Sequence, residues 1–255
     1  MRYFDFFGVE FKICAPVQIE ESVQSFLKAG NGRGTAINYE LNNLQKGESF
    51  PEEFTEVPME RIKETKGTIF FRNKLCFYKV DKEIQMWFYY IEKWNSQFVF
   101  DQILFGIYLF FFQRGYFFIH SVAVEYNKKI ILISGRSGSG KTTLAHHLQP
   151  GRVLSDDLNF VNSSYRQPIM LLPSGLEKNV DIFFFTNYNN KGEEVRSLTR
   201  AGALKLFVEN SMFSFCQMTD SLLARAAGCI PSWVVYAAGT YRVESLVKLI
   251  SDTVF

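Results

Sequence analysis

Residues 119–161 read IHSVAVEYNKKIILISGRSGSGKTTLAHHLQPGRVLSDDLNFV, and the fold is decided there. At the centre, GRSGSGKT at 135–142 satisfies G-x-x-x-x-G-K-[ST] in full. A strand-forming run, KIILIS at 129–134, precedes it. A helix-forming run at 142–149 follows, with Pro150-Gly151 as the stop. Strand, glycine-rich loop and helix, in that order, form the context in which this pattern holds phosphate. Glycines let backbone N–H groups turn inward around anionic oxygens, and the start of the helix adds a favourable dipole. Lys141 would reach the β- and γ-phosphates of ATP, and the Thr142 hydroxyl would ligate Mg²⁺. The expected nucleotide-binding set is Gly135, Ser137, Gly138, Ser139, Gly140, Lys141, Thr142 and Thr143. A ligand-free Gly/Ser turn is the competing reading, and the Lys-Thr pair with both flanking elements in place weighs against it.

Asp156 and Asp157 are the second element. A helix over 142–149 climbs about 12 Å at about 1.5 Å per residue. A strand over 152–156 returns by about 13–16 Å. The two lengths match, so the Asp pair is predicted to come back level with the loop. One carboxylate could then hold Mg²⁺ and the other take a proton from an incoming hydroxyl. Alone, such a pair reads as a solvated acidic turn; the spacing favours the functional reading.

His120 is the third. If the turn at 126–128 centres on Asn127, an antiparallel hairpin sets His120 opposite Ser134, one residue before the loop. There it could orient a phosphate or tune the Asp pair. A hydrogen-bonded structural histidine fits the same position equally well. His146 and His147, on the helix, read as surface or packing residues.

Taken together, the histidine, the hairpin, the glycine-rich loop, the short helix and the Asp-Asp pair resemble the core of the HPr kinase/phosphorylase family. YFDFFGVEFKI at 3–13 and GYFFIHSVAV at 115–124 are similar to a branch of small homologues. Members of that branch occur in peptide-modifying pathways, including lasso peptide maturation, where they phosphorylate a peptide hydroxyl. The resemblance implies an α/β fold: a P-loop core with a mixed sheet, preceded by a β-rich N-terminal region. It implies Thr142 and Asp156 as Mg²⁺ ligands, Asp157 as catalytic base and His120 as the active-site histidine. The family also uses an arginine from its C-terminal part, for which Arg196, Arg200 and Arg225 are candidates. The segment that accompanies phosphorolysis in the bifunctional enzymes has no recognisable counterpart here.

Outward from this core, the N-terminal third is β-rich. One strand is expected at 3–13, another at 36–41, and a polar, glycine-rich stretch lies between them at 28–35. An exposed acidic loop is expected at 47–66. Strands with turns at 72–74 and 81–82 follow over 67–90. A buried helix suits 97–113. Beyond the core, strands are expected at 169–172, 182–185 and 233–236, and helices at 201–208, 221–227 and 243–250. The division is a β-rich accessory region at 1–95 and a kinase core at 96–255.

Composition excludes several classes. The chain has 255 residues, 47% of them apolar and 21% charged, with a net charge of only +2 and no basic run, so nucleic acid is not an expected partner. Its 27 phenylalanines suffice for a large core and leave room for an apolar groove or a homo-oligomer interface. Cys14, Cys76, Cys216 and Cys229 are widely spaced and read as reduced thiols. An acidic residue at Asp5 precedes any long apolar run, and the run at 103–112 is too short against the roughly 20 residues of a membrane span. A cytoplasmic protein is expected, with no membrane partner.

The expected function is an ATP- and Mg²⁺-dependent kinase, of the serine-kinase type, that transfers the γ-phosphate to a Ser or Thr hydroxyl of a peptide or small protein, as in peptide natural-product maturation. A kinase of a small molecule such as free serine stays open, as does a binding module that senses ATP without catalysis. A transporter-type ATPase lacks its LSGGQ-like motif here. An enzyme like phosphoenolpyruvate carboxykinase would need metal-binding His and Lys residues, and this chain has only 3 histidines.

Overall fold

In the computed structural model, the aromatic opening of the chain turns back on itself. The structure describes residues 2–15, 35–45, 47–89, 96–148, 150–156, 158–162, 168–187, 194–211, 220–231, 233–238, 248 and 252. The described residues divide into two compact units, one running from Met1 to Arg114 and one from Gly115 onward. The stretch at 28–34, Asp157, Cys216 and nearly all of the helix expected at 243–250 lie outside the described residues.

The first unit is built on a sheet of order β1-β2-β3-β7-β6-β5-β4. Where one strand was expected over 3–13, β1 (Arg2–Phe6) and β2 (Val9–Cys14) form an antiparallel hairpin. Phe7 and Gly8 take the left-handed region, with φ of 54° and 75°, and the Gly8 N–H donates to Asp5 Oδ1 at 3.3 Å. Gly8 reaches such angles without strain and Asp5 closes the turn, while the aromatic run continues through both. β3 (Ile37–Leu44) and β7 (Ile84–Tyr89) continue the sheet in parallel. β6 (Cys76–Val80), β5 (Thr68–Arg72) and β4 (Ile62–Thr65) follow antiparallel, with turns where the sequence placed them.

Successive side chains of β6 point to opposite faces, and each face is covered. Tyr78 meets Phe105 of α1 (Ser96–Gln113) at 5.3 Å between ring centroids, and Phe77 meets Phe54 at 4.8 Å. Phe54 belongs to a 3₁₀ turn, Glu52–Phe54, inside the stretch expected to be an exposed loop. Glu52, Glu53 and Glu56 are exposed as expected, but Phe54 and Val57 are buried and β4 closes the segment. The apolar residues, spaced along an acidic sequence, anchor it to the sheet. No helix among the described residues is long and apolar enough to cross a membrane.

The second unit carries a mixed sheet of order β13-β12-β11-β8-β9-β14-β16-β15, with β10 paired to β8. Its spine is the hairpin of β8 (Tyr116–Tyr126) and β9 (Lys129–Ser134). β9 is parallel to β14 (Ile182–Asn187), which is parallel to β16 (Trp233–Ala238); β15 (Glu194–Ser197) closes that edge antiparallel. On its other side β8 pairs with β10 (Arg152–Ser155) and then β11 (Leu158–Asn162). β12 (Ile169–Leu171) and β13 (Glu177–Asn179) complete the sheet.

Helices cover both faces, the usual protection of a sheet with a parallel core. α2 (Lys141–His147) contributes Leu144 and Ala145 to a core with Val122, Val124, Ile131, Ile133 and Phe184. Phe207 of α3 (Arg200–Glu209) stacks on Phe183 and meets Phe117, each at 5.7 Å. Thr199 caps α3, its Oγ1 accepting from the Gly202 N–H at 3.2 Å. α4 (Asp220–Gly228) packs beside α3. The fold is therefore mixed α/β, as expected from the sequence.

Candidate nucleotide-binding site

β9 runs out of a buried core and ends at Ser134, where the glycine-rich loop begins. Gly138 and Gly140 take φ of 74° and 81°, and Gly140 is the N-cap residue of α2. A side chain at either would be strained by the backbone angle alone. Gly135 is required for a different reason: a Cβ there would overlap the Thr186 carbonyl oxygen and approach Ser139 Oγ at 2.6 Å. The loop is closed on itself by the Ser139 N–H, which donates to the Arg136 carbonyl at 3.1 Å.

Lys141 is the one buried lysine among the described residues, 6% exposed. Its Nζ donates to the carbonyls of Gly135 at 3.0 Å and Arg136 at 3.1 Å, so the ammonium lies over the start of the loop. Ser137, Gly138, Thr142 and Thr143 are exposed. Ser139 is 1% exposed, and its hydroxyl has no hydrogen-bond partner among the described residues.

Asp156 comes back to the loop, as the length argument predicts. The Thr142 hydroxyl donates to Asp156 Oδ1 at 3.4 Å. The way this happens was not foreseen, because β11 was not expected. Ser155 faces Ala123 and Leu158 faces His120, so the chain keeps one register along β8 on both sides of the pair. Thr142 and Asp156 supply hydroxyl and carboxylate oxygens, the hard donors that suit Mg²⁺. No group of three or more His, Cys, Asp or Glu side chains gathers among the described residues, so these two would be completed by phosphate and water.

His120 stands one register step from its expected place. The turn occupies Asn127 and Lys128, with φ of 48° and 64°, and therefore Ser121, not His120, faces Ser134. A two-residue turn shifts the pairing by one from a turn centred on Asn127. His120 is half-buried and pairs with Leu158, the residue after the Asp pair. Its carbonyl accepts from Ser134 Oγ at 3.0 Å and its N–H donates to the Asn210 carbonyl at 3.3 Å.

Of the candidate arginines, Arg200 is exposed and donates to the Ala227 carbonyl at 3.2 Å, which ties α3 to the end of α4. Arg225 lies in the last turn of α4, and Arg196 pairs with Tyr236 through the backbone of β15. Sequence reading passed over three buried polar residues beside the loop: Ser121, Asn159 and Thr186. Asn159 Nδ2 donates to the Ser121 carbonyl at 2.6 Å and to Ser121 Oγ at 3.0 Å. Thr186 Oγ1 donates to the Ser139 carbonyl at 3.0 Å. The available signal was a polar side chain inside an otherwise apolar strand, as in FFFT at 183–186 and LNFV at 158–161.

No family model matches the chain, and no curated protein matches it. Among solved structures it is similar to the HPr(Ser) kinase/phosphatase from Coxiella burnetii at 12% sequence identity and a TM-score of 0.32, over 53% of this chain and 89% of that one.

Proposed function

We propose that this chain is an ATP-dependent phosphotransferase whose acceptor is a Ser or Thr hydroxyl of a peptide or small protein. The observation that carries the reading is the meeting of Thr142 and Asp156 beside a loop that already holds Lys141. That places a cation, a hydroxyl and a carboxylate within one small region, the set that phosphoryl transfer uses for positioning and charge neutralisation. Lys141 exchanges the carbonyls of Gly135 and Arg136 for phosphate oxygens. Thr142 and Asp156 hold Mg²⁺, which when bound neutralises charge on the phosphates. Asp157 follows Asp156 directly and is the proposed base. It takes the proton of the acceptor hydroxyl as that oxygen bonds to the γ-phosphorus, and the β–γ bridging oxygen leaves with ADP. His120, one pairing step from the Asp pair, is proposed to support Asp157 or the transferring phosphate. The peptide acceptor follows from the resemblance to the peptide-modifying branch, and the cytoplasm is the proposed compartment.

The test is incubation with Mg²⁺-ATP and candidate peptides, read by mass spectrometry beside Asp157→Asn. The expected outcome is a gain of about 80 Da on a peptide Ser or Thr, lost with the variant. Transfer to free serine alone would replace the acceptor class. Tight ATP binding without transfer to any peptide, free serine or nucleoside would leave the non-catalytic ATP-sensing module as the reading.

A further inference from the structure

We infer that Thr186 is a positioning residue that holds the glycine-rich loop in the shape that binds nucleotide, an inference that rests on the nucleotide-binding reading above. Two contacts carry it. The Thr186 hydroxyl donates to the Ser139 carbonyl at 3.0 Å, near the loop's end. The Thr186 carbonyl lies where a Cβ on Gly135 would fall, at the loop's start. Both ends of the loop therefore rest on one residue of the neighbouring strand.

The topology explains why this residue is placed to do so. β14 is parallel to β9, and Phe185 faces Ser134, so the chain reaches Thr186 as the partner strand reaches Gly135. Thr186 is 3% exposed and follows Phe183, Phe184 and Phe185, all buried. A hydroxyl at the end of that apolar run needs an acceptor, and the loop supplies it. Lys141 anchors the start of the loop through the Gly135 and Arg136 carbonyls, and the stretch from Ser137 to Ser139 has fewer side-chain contacts. Ser137 and Gly138 are exposed, and the Ser139 hydroxyl has no partner among the described residues. Glycines give such a segment many alternative shapes, so a fixed bond at its end sets the fraction of molecules already arranged for phosphate.

Thr186→Val keeps the β-branched shape, removes the donor and leaves the Ser139 carbonyl without a hydrogen-bond donor among the described residues. Calorimetric titration of the full chain with Mg²⁺-ATP is expected to give a dissociation constant raised about tenfold or more. Thr186→Ser, which restores the hydroxyl, is expected to bind within about threefold of wild type, and both variants to melt cooperatively with wild-type circular dichroism. Equal affinity of wild type and Thr186→Val would overturn the inference while leaving the proposed function standing. Equal loss in Thr186→Val and Thr186→Ser would also overturn it, since the methyl group's packing would then be what matters. Should Thr186→Val fail to fold, Thr186→Ala removes the same donor without a buried methyl in its place and is judged by the same criteria. Absence of Mg²⁺-ATP binding by wild type would overturn the nucleotide reading and this inference with it.

Discussion

Single residues in the site divide by how local their cause is. The glycines and Lys141 were legible because their roles are written into adjacent residues: each positive φ is a backbone demand met within the loop. Thr186 was not legible, because its partner lies across a strand pairing that no local pattern announces. His120 fell between, correctly assigned to a strand beside the loop and misplaced by one pairing step. Away from the loop, Glu125 accepts from Arg152 Nη2 at 2.8 Å and from Lys178 Nζ at 3.2 Å. These hydrogen bonds hold its carboxyl below the ordinary value of 4.5. A carboxyl lowered in this way contributes stability at neutral pH, and that contribution is lost as the pH falls below about 4.5 and through the folded value. Arg152→Ala is therefore expected to lower the melting temperature slightly at pH 7 and not at all once Glu125 is protonated. Melting curves for both proteins from pH 7 down to about pH 3 check it.

Secondary-structure elements were predicted best where punctuation was strong. The turns at 72–74 and 81–82, the long apolar helix and the helix after the loop all have Gly, Asn, Asp or a change of period at their ends. The hairpin at Phe7-Gly8 was missed because aromatic residues run through the turn, and β11, β13 and β15 because runs of 5, 3 and 4 residues carry too little alternation to read. The β8–β9 turn offers a test. Lys128 holds φ of 64° with a side chain that disfavours it, and a two-residue turn with both φ values positive prefers Asn-Gly. Lys128→Gly completes that pair with Asn127. It is expected to stabilise the chain by about 1 kcal/mol, seen as a raised urea midpoint at unchanged slope.

Across the whole molecule, composition announced the class but not the order of the strands. A mixed α/β chain with a β-rich start was readable from patterns of period and punctuation. That β3 pairs with β7, or β9 with β14, depends on contacts far apart in sequence and on the crossovers between them. The acidic stretch at 47–66 shows the limit: its charge dominates the sequence, while its structure is set by Phe54 and Val57. Phe54→Ala is expected to cost about 3–5 kcal/mol, whereas exposed Glu52→Gln and Glu53→Gln each change stability by less than about 0.5 kcal/mol, measured by urea unfolding.

After a bulge between Val153 and Ser155, the chain keeps one register along β8 from Ser155 to Asn162, which makes the acidic corner a matter of parity. One residue added between Ser155 and Leu158 would leave the composition almost untouched, yet without a second bulge it would turn every side chain from Leu158 to Asn162 to the opposite side of the sheet. Buried Asn159 and Phe160 would exchange environments with it. Two added residues would restore the sides and lengthen only the corner. Related chains should therefore vary in length here by even steps, or by an odd step that a second bulge like the one between Val153 and Ser155 absorbs.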